Sequence, residues 1–217
     1  MRRLFGSILV LALAILLGVP ALRAGEMKPI DLPEPQVSGG MPLMDALMNR
    51  KSDREFSAEK LPARTLSDLL WAAFGVNRPE SGKRTAPSAR NWREIDIYVA
   101  LEKGLYLYDA VSHSLNPVLP DDLRSRTGMQ DFVGAAPVNL VYVADYSRMG
   151  NASDDQKIMY AAADAAFIAQ NVYLFCASEG LGTVVRGALD REALAKAMKL
   201  GPERHVAFAQ TVGYVKE

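Results

Sequence analysis

The stretch SDDQKIMYAAADAAFIAQNVYLFCASEGLG, residues 153–182, decides how this chain folds. Ser153 and Gln156 have the spacing of a capping box, and Asp154 and Asp155 suit the positive end of a helix dipole. The pattern predicts a helix that runs to Glu179, roughly 25 residues and about 40 Å long. Apolar residues surround it nearly completely, so we expect it to be buried on most sides.

Such a helix needs more cover than one small domain supplies. The chain has 217 residues, enough for one domain with a sizeable core. Asp164, Gln170 and Asn171 interrupt the apolar surface and argue against a membrane span. We therefore expect this long helix to lie at the interface of a homodimer.

Composition argues against several classes of function. The formal net charge is zero, so the chain has no general affinity for nucleic acid or acidic membranes. Cys176 is the single cysteine, which excludes an intramolecular disulfide and a cysteine-based metal site. His113 and His205 lie far apart and lack the spacing of zinc ligands, so we expect no metal.

The N-terminus has the layout of a secretory signal. Arg2 and Arg3 precede an apolar run over residues 8–19, which Pro20 and small residues follow. The run is shorter than the roughly 20 residues of a membrane span, so no stable anchor is expected after cleavage. We assign residues 1–24 to a signal peptide and expect an exported, periplasmic protein, by either the general secretory or the twin-arginine route.

Residues 25–40 are rich in proline and glycine and are predicted to be a linker, which leaves residues 41–217 as the folded domain. Apolar patterning predicts strands over 94–101, 104–109, 137–144, 181–185 and 206–215. Helical spacing predicts helices over 41–48, 66–74, 121–125 and 190–199. Thr65 is the expected N-cap of the helix over 66–74.

A basic stretch, Asn49-Arg50-Lys51-Ser52-Asp53-Arg54-Glu55-Phe56, follows the first of these helices. If it is extended, Arg50, Ser52 and Arg54 project to one side, because strand side chains alternate. Two guanidiniums beside a hydroxyl match the oxygens of a phosphate. In a helix Ser52 would point elsewhere, and a charge run is commonly a solvated face.

Two nucleotide-binding motifs are excluded by position. Gly82-Lys83 lacks the glycine of a P-loop five residues earlier, where Asn77 stands, and the hydroxyl residue after the lysine, where Arg84 stands. Gly180 and Gly182 lie between a predicted helix and a predicted strand, the reverse of the order in a dinucleotide fingerprint.

Three separated segments resemble motifs of the FMN-dependent nitroreductase family. The basic stretch resembles Arg-Arg-Ser-x-Arg, with Lys51 at the second arginine. Residues 86–91 resemble Ala-Pro-Ser-Ala-Gly-Asn, with Arg90 at the glycine, and residues 179–183 resemble Glu-x-Gly-Leu-Gly-Thr, one residue tighter. Residues 104–109, His113-Ser114-Leu115 and Gln130 are similar to the branch that includes azoline-forming dehydrogenases.

The resemblance implies an α+β fold with a central, mainly antiparallel sheet flanked by helices, and a tight homodimer with FMN at its interface. By position, the phosphate and ribityl chain would be held by Arg50, Ser52 and Arg54, with Lys51 close by. The flavin would be covered from the partner subunit by Pro87, Ser88, Ala89 and Asn91. Gln130 would bond the pyrimidine edge, and Glu179, Gly180, Leu181 and Gly182 would form the turn whose backbone donors lie near the flavin N5 and O4.

Two departures from the family pattern bear on the site. Arg90 places a bulky cation where glycine is tolerated, which would narrow the substrate channel or meet an anionic substrate. The sequence stops at Glu217, whereas many members continue into a basic tail that helps bind the phosphate. Either Lys216 or Arg186 would have to substitute for that tail.

Three functions follow from the resemblance. The first is an FMN-dependent oxidoreductase that passes electrons to a small electrophile such as a nitroaromatic or quinone-like compound. The second is an FMN-dependent dehydrogenase that oxidises a small or peptide substrate. The third is a flavin-binding dimer without catalysis. Hydride chemistry at a flavin needs no acid–base set, and we identify no catalytic side chain.

Overall fold

The computed structural model describes residues 27–216. Its strands are β1 (Ile30–Asp31), β2 (Val76–Arg78), β3 (Lys83–Arg84), β4 (Ile95–Leu101), β5 (Gly104–Asp109), β6 (Ser114–Leu119), β7 (Val138–Asp145), β8 (Gly182–Arg186) and β9 (Arg204–Gly213). Its α-helices are α1 (Leu43–Asn49), α2 (Ala63–Phe74), α3 (Asp154–Ser178) and α4 (Arg191–Ala197). The predicted signal peptide, residues 1–24, lies outside the described residues.

Seven strands form one sheet in the order β1-β6-β5-β4-β7-β9-β8, and every pairing in it is antiparallel. Strand β7 is central, and all eight of its residues are buried. Helices α2 and α3 pack together and belong to the larger apolar core, whereas α4 contacts β9 and helps form a second core. The α+β prediction with a mainly antiparallel sheet is confirmed.

Helix α3 has the predicted capping box, in which Ser153 and Gln156 bond each other's backbone amides. Its buried stripe faces the sheet and consists mainly of Ala161, Ala165, Ile168, Ala169, Val172 and Cys176. Within the described residues of one chain, α3 is covered mainly along this stripe, so the predicted burial on its other sides stays a prediction that depends on a dimer. Met159 and Phe167 are 55% and 49% exposed, so the apolar outer face of α3 lies uncovered. Of the helices that the structure describes, α3 is the one that is long and apolar enough to cross a membrane, judged by length and composition alone.

The predicted linker needs a correction, because part of it belongs to the folded domain. Strand β1 pairs with β6, and the Leu32 amide donates to the His113 carbonyl at 3.3 Å. The Ser67 hydroxyl on α2 donates to the Pro33 carbonyl, and the Gln36 amide donates to Asp68. These hydrogen bonds attach residues 30–36 to the sheet and to α2.

Other differences concern short elements. Helix α2 begins at Ala63, before the predicted start at Leu66. Its N-cap is Pro62, which makes no side-chain hydrogen bond, and not Thr65. The predicted helix over 121–125 is a 3₁₀ turn at Arg124–Arg126. Strand β6 was not predicted, because its Pro117 cannot donate to a ladder. Pro117 lies beyond the two residues of β6 that pair with β1, where a missing amide costs little.

Candidate functional site

The basic stretch at residues 50–56 is extended and attached to the edge of the sheet. The Asp53 amide donates to the Thr183 carbonyl at 3.0 Å, and Phe56 forms an isolated bridge with Val215. The Lys216 amide also donates to the Glu55 carbonyl at 3.1 Å. Of the two conformations considered for this stretch, the structure therefore has the extended one. Helix α1 ends just before it, at Asn49.

Tyr173 of α3 contacts two residues in the first half of this stretch, Arg50 and Ser52. The Arg50 guanidinium lies 5.2 Å from the centre of the Tyr173 ring, within the range of a cation–π contact. The Ser52 and Tyr173 hydroxyls are 2.9 Å apart, and the Val185 amide donates to the same Tyr173 oxygen at 3.0 Å. Arg50 and Ser52 consequently share one side of the stretch, as strand alternation requires.

The cations of the stretch differ in whether they are paired. Lys51 lies 3.3 Å from the Asp53 carboxylate on the opposite side. Within residues 27–216, neither Arg50 nor Arg54 forms an ion pair with a carboxylate. Arg54 is exposed and reaches the Ser52 carbonyl only at 3.5 Å. The guanidiniums of Arg50 and Arg54 therefore keep donors available for an anion.

The turn after α3 lies against this stretch. A cavity of about 290 Å³ separates the two and is lined by residues that include Lys51, Asp53, Gly180 and Leu181. Gly180 is exposed with a φ of +68°, which glycine adopts at little cost. The structure thus brings residues 50–54 and 180–182 together, as predicted from the sequence.

Gly182 has a packing role that the sequence did not show. It is buried, and a Cβ there would lie 2.7 Å from the Val215 side chain and 3.1 Å from the Asp53 Cβ. Glu179, in contrast, is exposed, and its side chain lines a separate cavity beside Trp71. The structure does not place the Glu179 side chain with Arg50 and Arg54.

Gln130 lies near the same edge of the sheet. Two residues after it, Phe132 packs on Phe56 of the basic stretch, with the two ring centroids 5.5 Å apart. The Gln130 Oε1 atom is buried and has no hydrogen-bond partner within the described chain. Its amide nitrogen reaches the Ala188 carbonyl only at 3.5 Å. A buried acceptor without a donor is costly, so this atom marks a position where a ligand donor would be favourable.

Arg186 lies beside Gln130 but faces inwards. Its guanidinium donates to the Thr127 carbonyl at 2.6 Å and to Asn139 Oδ1 at 2.9 Å. Burial lowers the pKa of Arg186 to about 10. The idea that Arg186 substitutes for the basic tail is therefore wrong, because both of its terminal nitrogens donate inside the protein and its Nε atom is buried. On β8, Arg186 lies two residues after Val184 and four after Gly182, so the three positions are on the same face of the strand. Strand alternation could therefore have indicated that Arg186 is buried.

Residues 87–91 form a tight turn around Ser88. The Ser88 hydroxyl donates to Glu94 Oε2 at 3.2 Å and accepts from the Arg93 amide at 2.8 Å. The Ala89 amide donates to Asp164 Oδ2 at 2.8 Å, whereas Pro87 and Asn91 are exposed. Sequence reasoning missed both buried carboxyls, although an acid that precedes an apolar strand was available as a signal.

Arg90 explains why the related motif carries a glycine at this position. Its φ is +50°, in the left-handed region that glycine adopts without strain. Its guanidinium lies 5.3 Å from the centre of the Trp92 ring, and the side chain is exposed. Arg90 therefore presents a positive charge on the outer surface of this turn.

Within one chain the turn at residues 87–91 lies apart from the basic stretch. The turn is attached to Asp164 and the stretch to Tyr173, nine residues further along α3. At 100° per residue these positions differ by about half a turn of helix. They flank the buried stripe of α3 on opposite edges, so one chain cannot bring the two segments together through this helix.

Comparison with known proteins now identifies the fold family. Residues 47–214 match the model of the nitroreductase family. The chain belongs to the nitroreductase family. A nitroreductase-family protein of Methanocaldococcus jannaschii is 33% identical over 186 residues, which cover 81% of this chain and 92% of that one.

Solved structures agree with this assignment. The structure of a nitroreductase-family protein of Ralstonia eutropha has a TM-score of 0.85 and 50% identity, and the match covers 88% of this chain and 91% of that one. The NADPH:FMN oxidoreductase of Vibrio harveyi shares the fold at 20% identity with a TM-score of 0.61, over 81% of this chain and 69% of that one. The chain is accordingly an oxidoreductase.

Gly182→Ala tests how the basic stretch is positioned. The added methyl group would meet Val215 and Asp53, so we expect a loss of about 1–3 kcal/mol in the free energy of unfolding, measured by urea denaturation. Gly187→Ala is the matched control, because Gly187 is exposed and its Cβ would meet nothing within 4 Å. Equal stability of the two variants would contradict this packing role.

Proposed function

We propose that the protein is an FMN-dependent oxidoreductase that passes electrons to a small electrophilic acceptor, such as a nitroaromatic or quinone-like compound. The observation that carries the proposal is the pair Arg50 and Arg54, which stand on either side of Ser52 in an extended segment and have no carboxylate partner within the described chain. Cations that are at least partly exposed and left without a carboxylate next to a hydroxyl-bearing residue suit a phosphate group.

The residues along the edge of β8 fit FMN from one end to the other. Arg50, Ser52 and Arg54 would hold the phosphate and the ribityl chain. Gln130, whose buried Oε1 lacks a donor, would accept from the N–H of the flavin pyrimidine ring. The backbone amides of Gly180 and Gly182 would donate near the flavin N5 and O4, whereas the Leu181 amide already donates to the Cys176 carbonyl at 2.8 Å.

When bound, FMN supplies the two-electron chemistry, because hydride leaves or arrives at its N5 atom. The chain's own task is to bind, orient and shield. The cations of the basic stretch would favour the anionic reduced form through their charge, and the cavity beside residues 180–182 gives room for a planar group. An exported location, which the sequence predicts, would require an electron donor other than a cytoplasmic nicotinamide.

We also propose a homodimer, because it would cover apolar surface and complete the site. Helix α1 contacts α3, and it exposes Leu43, Met44, Leu47 and Met48. Phe167 and Met159 are exposed on α3 itself. A second chain packed on this surface would bring its turn at residues 87–91 towards the first chain's basic stretch, which one chain cannot do alone.

Neutralising both arginines tests the phosphate site. The double variant Arg50→Gln/Arg54→Gln should lose at least about 3 kcal/mol of FMN binding free energy, or about 100-fold in Kd, because two charged hydrogen bonds are removed. Fluorescence titration of the apoprotein with FMN measures this.

The matched control for this titration is Arg64→Gln/Arg191→Gln, which makes the same charge change at exposed arginines elsewhere. Its FMN affinity should stay within about twofold, because distant exposed charges are screened by salt. Unchanged affinity in the Arg50/Arg54 variant would place the phosphate elsewhere. A protein that cannot be loaded with FMN at all would overturn the flavin function.

The acceptor class is tested on the loaded protein without oxygen. We expect chemically reduced, FMN-loaded protein to reoxidise when mixed with a nitroaromatic or a quinone, followed by its visible absorbance in a stopped-flow instrument. Free reduced FMN at the same concentration is the control. Absence of reoxidation by either compound would contradict this acceptor class and favour the dehydrogenase alternative.

The dimer is tested by placing a charge on the outer face of α3. Phe167→Glu should convert the dimer into a monomer, since the buried carboxylate would lack a cationic partner. Sedimentation velocity measures the mass. Val111→Glu is the control, because Val111 is 78% exposed on the turn between β5 and β6, away from α3. A wild-type protein that sediments as a stable monomer would refute the dimer.

A further inference from the structure

Two carboxylic acids lie together in the interior, and the binding of FMN does not use them directly. Glu94 immediately precedes β4 and is 0% exposed. Asp164 is on α3 and is 3% exposed. Burial of an isolated carboxylate is costly, and burial of two adjacent ones is more so, unless cations or protons compensate the charge.

Each carboxyl holds one part of the turn at residues 87–91. Glu94 Oε2 accepts from the Ser88 hydroxyl at 3.2 Å, and Asp164 Oδ2 accepts from the Ala89 amide at 2.8 Å. The turn is thereby attached to the sheet by one acid and to α3 by the other. Ser88 accepts in turn from the Arg93 amide at 2.8 Å.

The backbone of this turn needs such attachment. Arg90, Asn91 and Arg93 have φ values of +50°, +56° and +51°, in the left-handed region that side-chain-bearing residues rarely adopt. Residues in that region are strained, and the surrounding contacts must offset the cost. The two carboxyls supply contacts from outside the turn.

Among residues 27–216, neither carboxyl forms an ion pair with a cation. The charged and titratable side chains around the pair all have other partners: Arg90 lies over Trp92, Arg93 bonds Asn91 and Ser81, Arg148 pairs with Asp96 and Asp145, and Tyr160 packs edge-on against Trp92. Within the described residues, Glu94 Oε1 is buried and has no hydrogen-bond partner. A proton held between the two carboxyls is the compensation that remains.

Burial raises the pKa of Glu94 to about 7, and the neighbouring Asp164 carboxyl acts in the same direction. A raised pKa means that the folded protein holds this proton over a range in which the unfolded chain has released it. The stabilisation is full below the ordinary pKa of a glutamic acid and is lost as pH rises through about 7.

We propose that Glu94 and Asp164 share one proton and act as a positioning pair that fixes the turn at residues 87–91, and that loss of this proton releases the turn. The significance for flavin binding rests on the proposed function, since the turn would cover FMN bound to the partner subunit. The release itself belongs to this chain and needs no ligand.

Hydrogen–deuterium exchange of the flavin-free protein reads this release directly at the Ala89 amide. Between the ordinary pKa of a glutamic acid and the raised pKa of Glu94, about 7, the open fraction of the turn should rise about tenfold for each pH unit, and it should level off above that pKa. We therefore expect protection of the peptide containing Ala89, corrected for intrinsic exchange, to fall by at least about tenfold between about pH 6 and about pH 8.5.

Glu94→Gln is the matched variant, since its amide can donate to Asp164 and accept from Ser88 without titrating. Its protection at Ala89 should be the same at both pH values. Asp164→Asn serves if the first variant does not fold: it removes the carboxyl that helps burial to raise the Glu94 pKa, so its loss of protection should move to lower pH. A pH-dependent loss of protection that persists in folded Glu94→Gln would overturn the proposal, as would an unshifted loss in Asp164→Asn or constant protection in the wild type.

Infrared spectroscopy provides a second readout that a merely structural role would not produce. The wild-type protein at about pH 6 should show the carbonyl band of a protonated carboxyl in a dry site, and the band should disappear at about pH 8.5. Glu94→Gln should lack it at both. Absence of the band in the wild type would refute the shared proton. Failure of FMN to bind would leave these results unaffected, because both measurements use the flavin-free protein.

Discussion

The geometry of helix α3 is the constraint on which the site depends. Its buried stripe packs on the sheet, and its two edges attach two different segments, the turn at residues 87–91 through Asp164 and the basic stretch through Tyr173. Because a helix turns 100° per residue, nine residues place these two attachments on opposite sides. The proposed FMN site needs both segments at one flavin, and two copies of α3 packed face to face would supply that arrangement. In such a dimer the uncovered apolar face of α3 would serve the function as well as the fold.

Charge is distributed in the protein according to access to solvent. The arginines of the basic stretch stay near the surface and unpaired within the described chain, where their donors can meet a ligand. Arg186 is buried, and its terminal nitrogens donate to backbone and amide oxygens instead of a carboxylate. Glu94 and Asp164 are buried without a cation, so a proton takes that place. Each of these groups is explained by the cost of removing a charge from water.

The elements that were predicted correctly have strong local signals. The strands β4, β5 and β7 follow the alternation of apolar side chains, and α3 follows its capping box and apolar content. The elements that were missed are short and have no local signal. Strand β1 has two residues and exists because β6 offers an edge to pair with. Strand β6 contains a proline that only its place near the edge of the sheet makes acceptable.

The same division holds for the site. The sequence by itself determined the basic stretch, the glycine turn after α3 and the family, because these are local patterns of residue type and spacing. The tertiary structure alone decided that Gly182 makes room for Asp53, that Arg186 faces inwards, that part of the apolar surface of α3 stays uncovered, and that Glu94 meets Asp164, 70 residues further along the chain. The physical reason is that burial and the contacts between distant segments arise only when helix and sheet pack, and no local pattern contains them.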